Sequence, residues 1–258
     1  MRALVTGGAR RLGRAMAIYL ARRGYDVAVH YAGSAREAAE VVAEIETMGR
    51  RAVAIRADLL REDETQSLIP TAAEALGGPL RVLVNNASVF EYDTLLTGTR
   101  DSWDRHMESN LRAPFVLMQH FARQAPPPVP DAAGEPVAQA LVVNMIDQRI
   151  RKPTPEFASY TIAKMGLWAL TQTGAQALAP AVRVNAIGPG PTLQGGRQDP
   201  AAFARQRAAT LLRRGANPAG ITGALGYFLD AESVTGQIIM VDGGQHLAWE
   251  TPDVMGVE

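Results

Sequence analysis

The chain has 258 residues, within reach of one large α/β domain, and 47% are hydrophobic against 20% charged, a balance that supports an ordinary packed core. Twenty-six Lys and Arg offset twenty-six Asp and Glu to a formal net charge of zero, which leaves no footprint for nucleic acid or for an anionic membrane surface. There is no cysteine, so disulfides, thiolate metal sites and cysteine nucleophiles are excluded, and no metal-ligand set stands out.

Met1-Arg2 leads straight into an apolar run at 3–6 that is too short for a leader sequence. No apolar run reaches the ~18 residues of a membrane span, so the expectation is a soluble, cytoplasmic protein. Short apolar segments predict strands at 3–6, 26–30, 52–56, 82–85, 141–146, 182–187 and 238–241. Amphipathic stretches between them predict helices at 11–23, 36–48, 62–76, 100–123, 157–178, 200–212 and 219–229. This alternation predicts one doubly wound, Rossmann-type domain over 1–258, its seven-stranded parallel sheet flanked by helices. Prolines at 126–130 and 136 predict a stiff surface loop. The Gly- and Pro-rich stretch at 189–199 predicts a mobile lid, part of a substrate loop at 189–215, and the tail at 249–258 has no periodicity.

Thr6-Gly7-Gly8-Ala9-Arg10-Arg11-Leu12-Gly13 lies between the first predicted strand and helix. Glycines there let the backbone approach a pyrophosphate, and a helix N-terminus supplies N–H groups and partial positive charge. The second strand ends His30-Tyr31-Ala32-Gly33-Ser34 without the carboxylate that an NAD site places on the ribose hydroxyls. Arg10 and Ser34 suit a 2′-phosphate, so NADP(H) is expected, with Tyr31 beside it. Arg10 as a solvated charge is the alternative. His30 is expected to be a packed strand-end residue.

Tyr160 and Lys164 are four apart in Ser-Tyr-Thr-Ile-Ala-Lys and share one helix face. An ammonium beside a phenol favours phenolate and lowers a pKa that starts near ~10, which makes a proton donor useful near neutral pH. Thirteen residues before Tyr160 stands Asp147, where a carbonyl reductase would place Ser or Thr to donate to the developing alkoxide. An ionised carboxylate only accepts hydrogen bonds and would repel that alkoxide. Asp147 therefore argues against an ordinary ketone substrate; as an alternative it caps a helix or sits in a loop.

Further motifs follow in order: Ala57-Asp58-Leu59, Asn85-Asn86-Ala87, Asn110, Asn185-Ala186-Ile187-Gly188-Pro189-Gly190, Val234-Thr235-Gly236-Gln237 and Val241-Asp242-Gly243-Gly244. With the Gly-rich turn and the Tyr-Lys pair, they resemble the short-chain dehydrogenase/reductase family from end to end. The resemblance implies that Asp58 and Leu59 meet the adenine and that Gly7, Leu12 and Gly13 meet the phosphates. It places Asn86, Ala87 and Lys164 on the ribose side, and Pro189, Gly190 and Thr192 around the nicotinamide. Asn110 would hold a water in the proton path, with Tyr160 as proton donor; as an alternative Asn110 is a helix-interior amide bonded to backbone. Three departures are informative. Arg11 replaces the middle glycine of the turn, Ser88 replaces a glycine after Asn-Asn-Ala, and Asp147 ends Asn144-Met145-Ile146-Asp147. All three resemble the pteridine reductase branch.

Reducing a pterin means adding hydride to a ring C=N, whose nitrogen must gain a proton. Asp147 can accept from the ring amines and work with Tyr160 to protonate that nitrogen. Phe90 can stack on the ring for roughly 0.5–1.5 kcal/mol beyond burial, and Arg11 can donate to the pterin oxygen and the cofactor phosphates together. Ser88, Phe90, Arg11, Asp147 and Tyr160 are thus the expected substrate residues. The expected reaction is NADPH-dependent reduction of a pterin or dihydropterin, with dihydrofolate as a further substrate. The alternatives are a 3-oxoacyl thioester reductase and an inactive dinucleotide-binding sensor. The resemblance also implies a homotetramer built on helices 100–123 and 157–178; separately, Trp249 and the residues after it are expected to reach a neighbour's site.

Overall fold

The computed structural model describes residues 1–195 and 198–251. Seven parallel strands form one sheet: β1 (Arg2–Val5), β2 (Asp26–Tyr31), β3 (Ala52–Arg56), β4 (Val82–Asn85), β7 (Ala140–Met145), β8 (Val182–Pro189) and β9 (Ile238–Val241). Their order is β3-β2-β1-β4-β7-β8-β9. The two remaining strands, β5 (Val129–Pro130) and β6 (Pro136–Val137), pair as a small antiparallel hairpin inside the segment expected to be a plain loop. Two residues per strand is too little for a sequence period to show.

The helices are α1 (Arg11–Arg22), α2 (Ala35–Thr47), α3 (Glu62–Ala75), α4 (Arg100–Met107), α5 (Ala113–Gln124), α6 (Ala158–Leu178), α7 (Pro200–Ala208) and α8 (Pro218–Asp230). The helix expected over 100–123 is interrupted by a π turn at Glu108–Arg112, a single wide turn of a kind frequent at functional sites. Helix α7 stops at Ala208, four residues before its expected end at 212.

Side chains alternate across each strand, so consecutive residues feed opposite layers. Ala3 and Val5 pack with Met16, Leu20, Val41, Ile45 and Phe228 on the face of α1, α2 and α8. Leu4 and Leu83 pack with Leu68, Ile69, Leu117 and Phe121 under α3 and α5. Each such fully buried side chain contributes roughly 1.5–3 kcal/mol. The chain winds outward from β1 to β3, returns to β4 and then runs to β9, so the sheet reverses direction between β1 and β4. Crevices at the carboxyl ends of strands open at such a reversal.

Candidate active site

At the carboxyl end of β1 the chain turns through Gly7, whose φ of 60° lies in the left-handed region. The Gly7 N–H donates to His30 Nδ1 at 3.0 Å, and His30 Nε2 donates to the Ala57 carbonyl at 3.0 Å. His30 is thus a neutral imidazole that fixes the turn, and burial lowers its pKa to about 4. Thr6 Oγ1 accepts from the backbone N–H of Asn86 at 2.8 Å and of Ala87 at 3.0 Å, while Asn86 Nδ2 donates to the Thr6 carbonyl at 2.8 Å. A Cβ on Gly13 would stand 2.0 Å from the Gly7 oxygen and 2.6 Å from Asn86 Nδ2, so only glycine fits where α1 leaves the turn. The N-cap residue of α1, Arg10, makes no side-chain capping hydrogen bond.

These groups border a cavity of about 500 Å³ lined by Gly7, Arg10, Arg11, Leu12, Gly13, Asp58, Leu59, Asn86, Ala87 and Ser88. Asp58 Oδ1 accepts from the Leu60 N–H at 3.0 Å, which shapes the rim. Arg10 forms an ion pair with Glu37 in the first turn of α2, an acidic partner that the sequence reading missed. Tyr31 packs against the core, and Ser34 precedes α2 without capping it; His30 and Ala32 line the cavity at the end of β2 instead.

The second cavity, about 330 Å³, adjoins the first through Arg11, Leu12, Asn86 and Ser88. Tyr160, 5% exposed, lies on α6 and donates from its hydroxyl to Asp147 Oδ2 at 3.0 Å. The other carboxylate oxygen, Oδ1, accepts from the Arg149 N–H at 2.8 Å and so caps the short 3₁₀ turn Gln148–Ile150. The cap and the contact with Tyr160 coexist, one per oxygen. Lys164 Nζ donates to the Met145 carbonyl at 2.9 Å and stands 5.6 Å from the centroid of the Tyr160 ring.

The electrostatics correct one expectation. Burial, then the adjacent Asp147 charge, pushes the Tyr160 phenol well above its ordinary pKa, so the lysine does not make it acidic here. Burial also raises Asp147, against the opposing hydrogen bonds from Arg149 and Tyr160. Burial lowers Lys164 to about 8, with the Asp147 charge resisting. The centre therefore holds a phenol that keeps its proton, beside a carboxyl whose protonation is made easier. Such a pair can deliver a proton to a basic atom in the cleft.

Asn110 is fully buried in the π turn, where Oδ1 accepts from the Val89 N–H at 2.9 Å and Nδ2 donates to the Val89 carbonyl at 2.8 Å. Its amide clamps the loop that carries Ser88 and Phe90. Phe90 reaches the cleft but stacks on Phe157, with centroids 4.2 Å apart and planes at 7°, and meets the Tyr160 ring edge-on at 4.7 Å. Arg149 lies over the Phe157 ring at 4.8 Å. Phe157, with φ 57°, is the residue at which the chain enters α6. Pro189, Gly190 and Thr192 line the cleft opposite, and Thr192 Oγ1 donates to the Gly190 carbonyl at 3.0 Å. Arg11, φ 52°, spends two of its donors on the carbonyls of Leu193 at 2.9 Å and Gln194 at 2.6 Å. It thereby ties the phosphate turn to the loop expected to be a lid. Of that loop, residues 196–197 lie outside the described residues, as do 252–258 of the tail.

Two buried networks escaped the sequence reading. Ser159 Oγ donates to Asp93 and accepts from His106 Nδ1 at 2.7 Å, and the Glu91 N–H closes the chain on His106 Nε2 at 3.1 Å. This network anchors the start of α6 beside Tyr160. In the sheet, Asn85 Nδ2 donates to Asn144 at 2.8 Å and Asn144 Nδ2 to Thr171 at 2.9 Å, which locks β4, β7 and α6 in register. The only available signal was a buried polar residue in each of these segments, and its partner is distant in sequence.

The model of the short chain dehydrogenase family matches residues 1–201. Over 250 residues the chain is 31% identical to the 3-oxoacyl-(acyl-carrier-protein) reductase FabG of Staphylococcus aureus strain Mu50, covering 95% of this chain and 98% of that one. Among solved structures it resembles FolM alternative dihydrofolate reductase 1 from Brucella canis complexed with NADP, at 43% identity and TM-score 0.90, covering 98% and 96% of the two chains. A short chain dehydrogenase from Burkholderia cenocepacia in complex with NADP aligns at 32% identity and TM-score 0.84, covering 95% and 97%. With the Gly-rich turn, the parallel sheet and the Tyr160–Lys164 pair in place, the chain belongs to the short-chain dehydrogenase/reductase family.

Proposed function

We propose that this enzyme uses NADPH to reduce a ring C=N of a pterin or dihydropterin, with dihydrofolate as a further substrate. The observation that carries the reading is the Tyr160 hydroxyl donating to Asp147 inside the cleft at 3.0 Å. A carboxylate beside the proton donor disfavours a developing alkoxide and favours a nitrogen that must be protonated. The likeness to a FolM dihydrofolate reductase supports the same branch.

The nucleotide cavity fits a dinucleotide. Its cradle at Gly7 and Gly13 would be filled by a Cβ, and the uncapped N-terminus of α1 suits a pyrophosphate. Gly7, Leu12 and Gly13 would hold the phosphates, and Asp58 and Leu59 the adenine. Asn86, Ala87 and Lys164 would take the ribose, and Pro189, Gly190 and Thr192 the nicotinamide. When bound, the cofactor supplies the hydride. Arg10, released from Glu37, would meet a 2′-phosphate, which the NADP complexes of the structural relatives support.

Within the chain, Asp147 holds Tyr160 in place and receives N–H donors of the ring. Tyr160 gives its proton to the ring nitrogen, and Lys164 offsets the buried charge that remains. Phe90, already stacked on Phe157, offers an aromatic wall to a flat substrate. Exposed apolar side chains on α5 and α6, namely Phe115, Ile162 and Met165, support assembly into a homo-oligomer, a tetramer on the family pattern.

A 3-oxoacyl thioester reductase is the second reading, favoured by the 31% identity to FabG. The decay of NADPH absorbance with biopterin, dihydrofolate and an acetoacetyl thioester separates the two. The pterin reading expects decay with the first two. Decay with the thioester alone selects the second reading, and decay with none leaves a dinucleotide-binding sensor.

A further inference from the structure

Among the described residues, three cations line the cavity that holds Asp147 and Tyr160, and two of them are committed. Arg11 donates to the carbonyls of Leu193 and Gln194, and Lys164 Nζ to the carbonyl of Met145. Arg149 is different. It donates through Nη1 to Thr154 Oγ1 and its guanidinium lies 4.8 Å from the centroid of the Phe157 ring. Its Nε and Nη2 have no hydrogen-bond partner among the described residues, and it forms no ion pair there.

The Arg149 N–H donates to Asp147 Oδ1 at 2.8 Å, so the side chain starts beside that carboxylate and ends on Phe157, the ring on which Phe90 stacks. Its charge reaches the pair in the cleft: against burial, which raises both groups, Arg149 pulls Asp147 and Tyr160 down. Arg151 and Lys152 follow, both exposed and neither in an ion pair among the described residues. Their N–H groups return to the Gln148 carbonyl at 2.9 and 3.2 Å, which keeps them within one turn of the cleft wall. The stretch 149–152 thus concentrates positive charge in a chain whose net charge is zero. The cleft is polarised, with Asp147 accepting N–H donors and Arg149 offering donors and charge. A guanidinium with open N–H groups matches the oxygens of an anion, whereas a neutral group gains no charge pairing and a cation meets like charge. We propose that Arg149 determines specificity by binding an anionic substituent, carboxylate or phosphate, carried by the substrate ring. The assignment rests on the pterin reading above, and it ranks dihydrofolate, whose tail carries carboxylates, above a dihydropterin with a neutral side chain.

The test compares wild type with Arg149→Met and Arg149→Lys at saturating NADPH. Initial rates are read with dihydrofolate, with a dihydropterin bearing a trihydroxypropyl side chain, and with the phosphate monoester of that side chain. Wild type is expected to favour an anionic substrate over the neutral one in kcat/KM by roughly three- to tenfold. Arg149→Met is expected to lose that preference through KM. Arg149→Lys, which keeps the charge and loses the planar fork, is expected to retain part of it. The effect of the lost charge on Asp147 and Tyr160 is common to all three substrates and cancels in the ratio. Raising salt from about 20 to about 500 mM should shrink the wild-type preference, because screening weakens the charge pair. A preference for dihydrofolate identifies a carboxylate as the anion, and one for the ester identifies a phosphate. No wild-type preference for either anion, a preference that survives in Arg149→Met, or one that ignores salt overturns the assignment. Should Arg149→Met turn over nothing, Arg149→Lys and the wild-type salt response carry the test. Wild-type turnover of none of the three pterins overturns the function reading itself.

Discussion

The two ends of the cleft are stabilised in opposite ways. Around the nucleotide cavity, Thr6, His30 and Asn86 spend their polar atoms on backbone groups of the turn and of neighbouring strands, which fixes the shape of the cradle. Around the substrate cavity, Asp147, Tyr160 and Lys164 are buried with displaced pKa values, and Gln148 and Gln245 hold oxygens without partners among the described residues. The first end is organised as a protein core is, with the polar atoms of Thr6, His30 and Asn86 paired to backbone groups. The second keeps charges and acceptors under tension, as sites do whose chemistry needs them. Arg11 joins the two, with its backbone in the phosphate turn and its guanidinium on the opposite loop.

If this contrast is right, substitutions at the two ends should fail differently. The largest effect belongs to Tyr160→Phe, which removes the hydroxyl proposed as the proton donor. Turnover should fall by roughly 10³-fold while NADPH binding, read by fluorescence titration, stays near wild type. Loss of cofactor affinity in that variant would place Tyr160 in the other half of the cleft. Gly13→Ala should do the reverse. Its new Cβ meets the Gly7 oxygen at 2.0 Å, a backbone atom that cannot step aside. The strain of roughly 1–3 kcal/mol should weaken NADPH binding about 5- to 150-fold, with little change in kcat at saturating cofactor.

A third effect is a pH dependence at the nucleotide end. His30 has its folded pKa lowered from 6.5 to about 4 by burial. Between those values the unfolded chain takes up a proton that the folded chain refuses. Stability contributed by the neutral imidazole is therefore present above 6.5 and lost as pH falls towards 4. Thermal denaturation from pH 7 to 4 should show this fall, at no more than about 1.4 kcal/mol per pH unit, and His30→Gln should flatten it. An unchanged profile in the variant would assign the acid sensitivity to carboxylates elsewhere.

Much of the fold was legible because it is written in local periodicity. The seven strands of the sheet fall within a few residues of their expected places, and 52–56, 82–85 and 238–241 coincide with the strands found. The hairpin at Val129–Val137 and the π turn at Glu108–Arg112 were not legible, since neither alters the apolar pattern over a long enough window. At the site, glycines and the Tyr160–Lys164 spacing carry their roles locally. The Asp93–Ser159–His106 network, the Arg10–Glu37 ion pair and the use of the Asn110 amide on Val89 depend on partners brought together only by folding. The raised Tyr160 pKa has the same origin, because burial and the direction of the Lys164 ammonium are tertiary facts.

The central claim is that the carboxylate at position 147 directs the enzyme toward a C=N acceptor. Asp147→Ser tests it most directly, assayed for kcat/KM with a dihydropterin and with an acetoacetyl thioester in parallel. The account predicts that pterin reduction falls by roughly 10²-fold or more, the scale of losing a positioned acid–base group, while thioester reduction is unchanged or rises. Equal losses on both substrates, or a wild-type enzyme that reduces only the thioester, would contradict it.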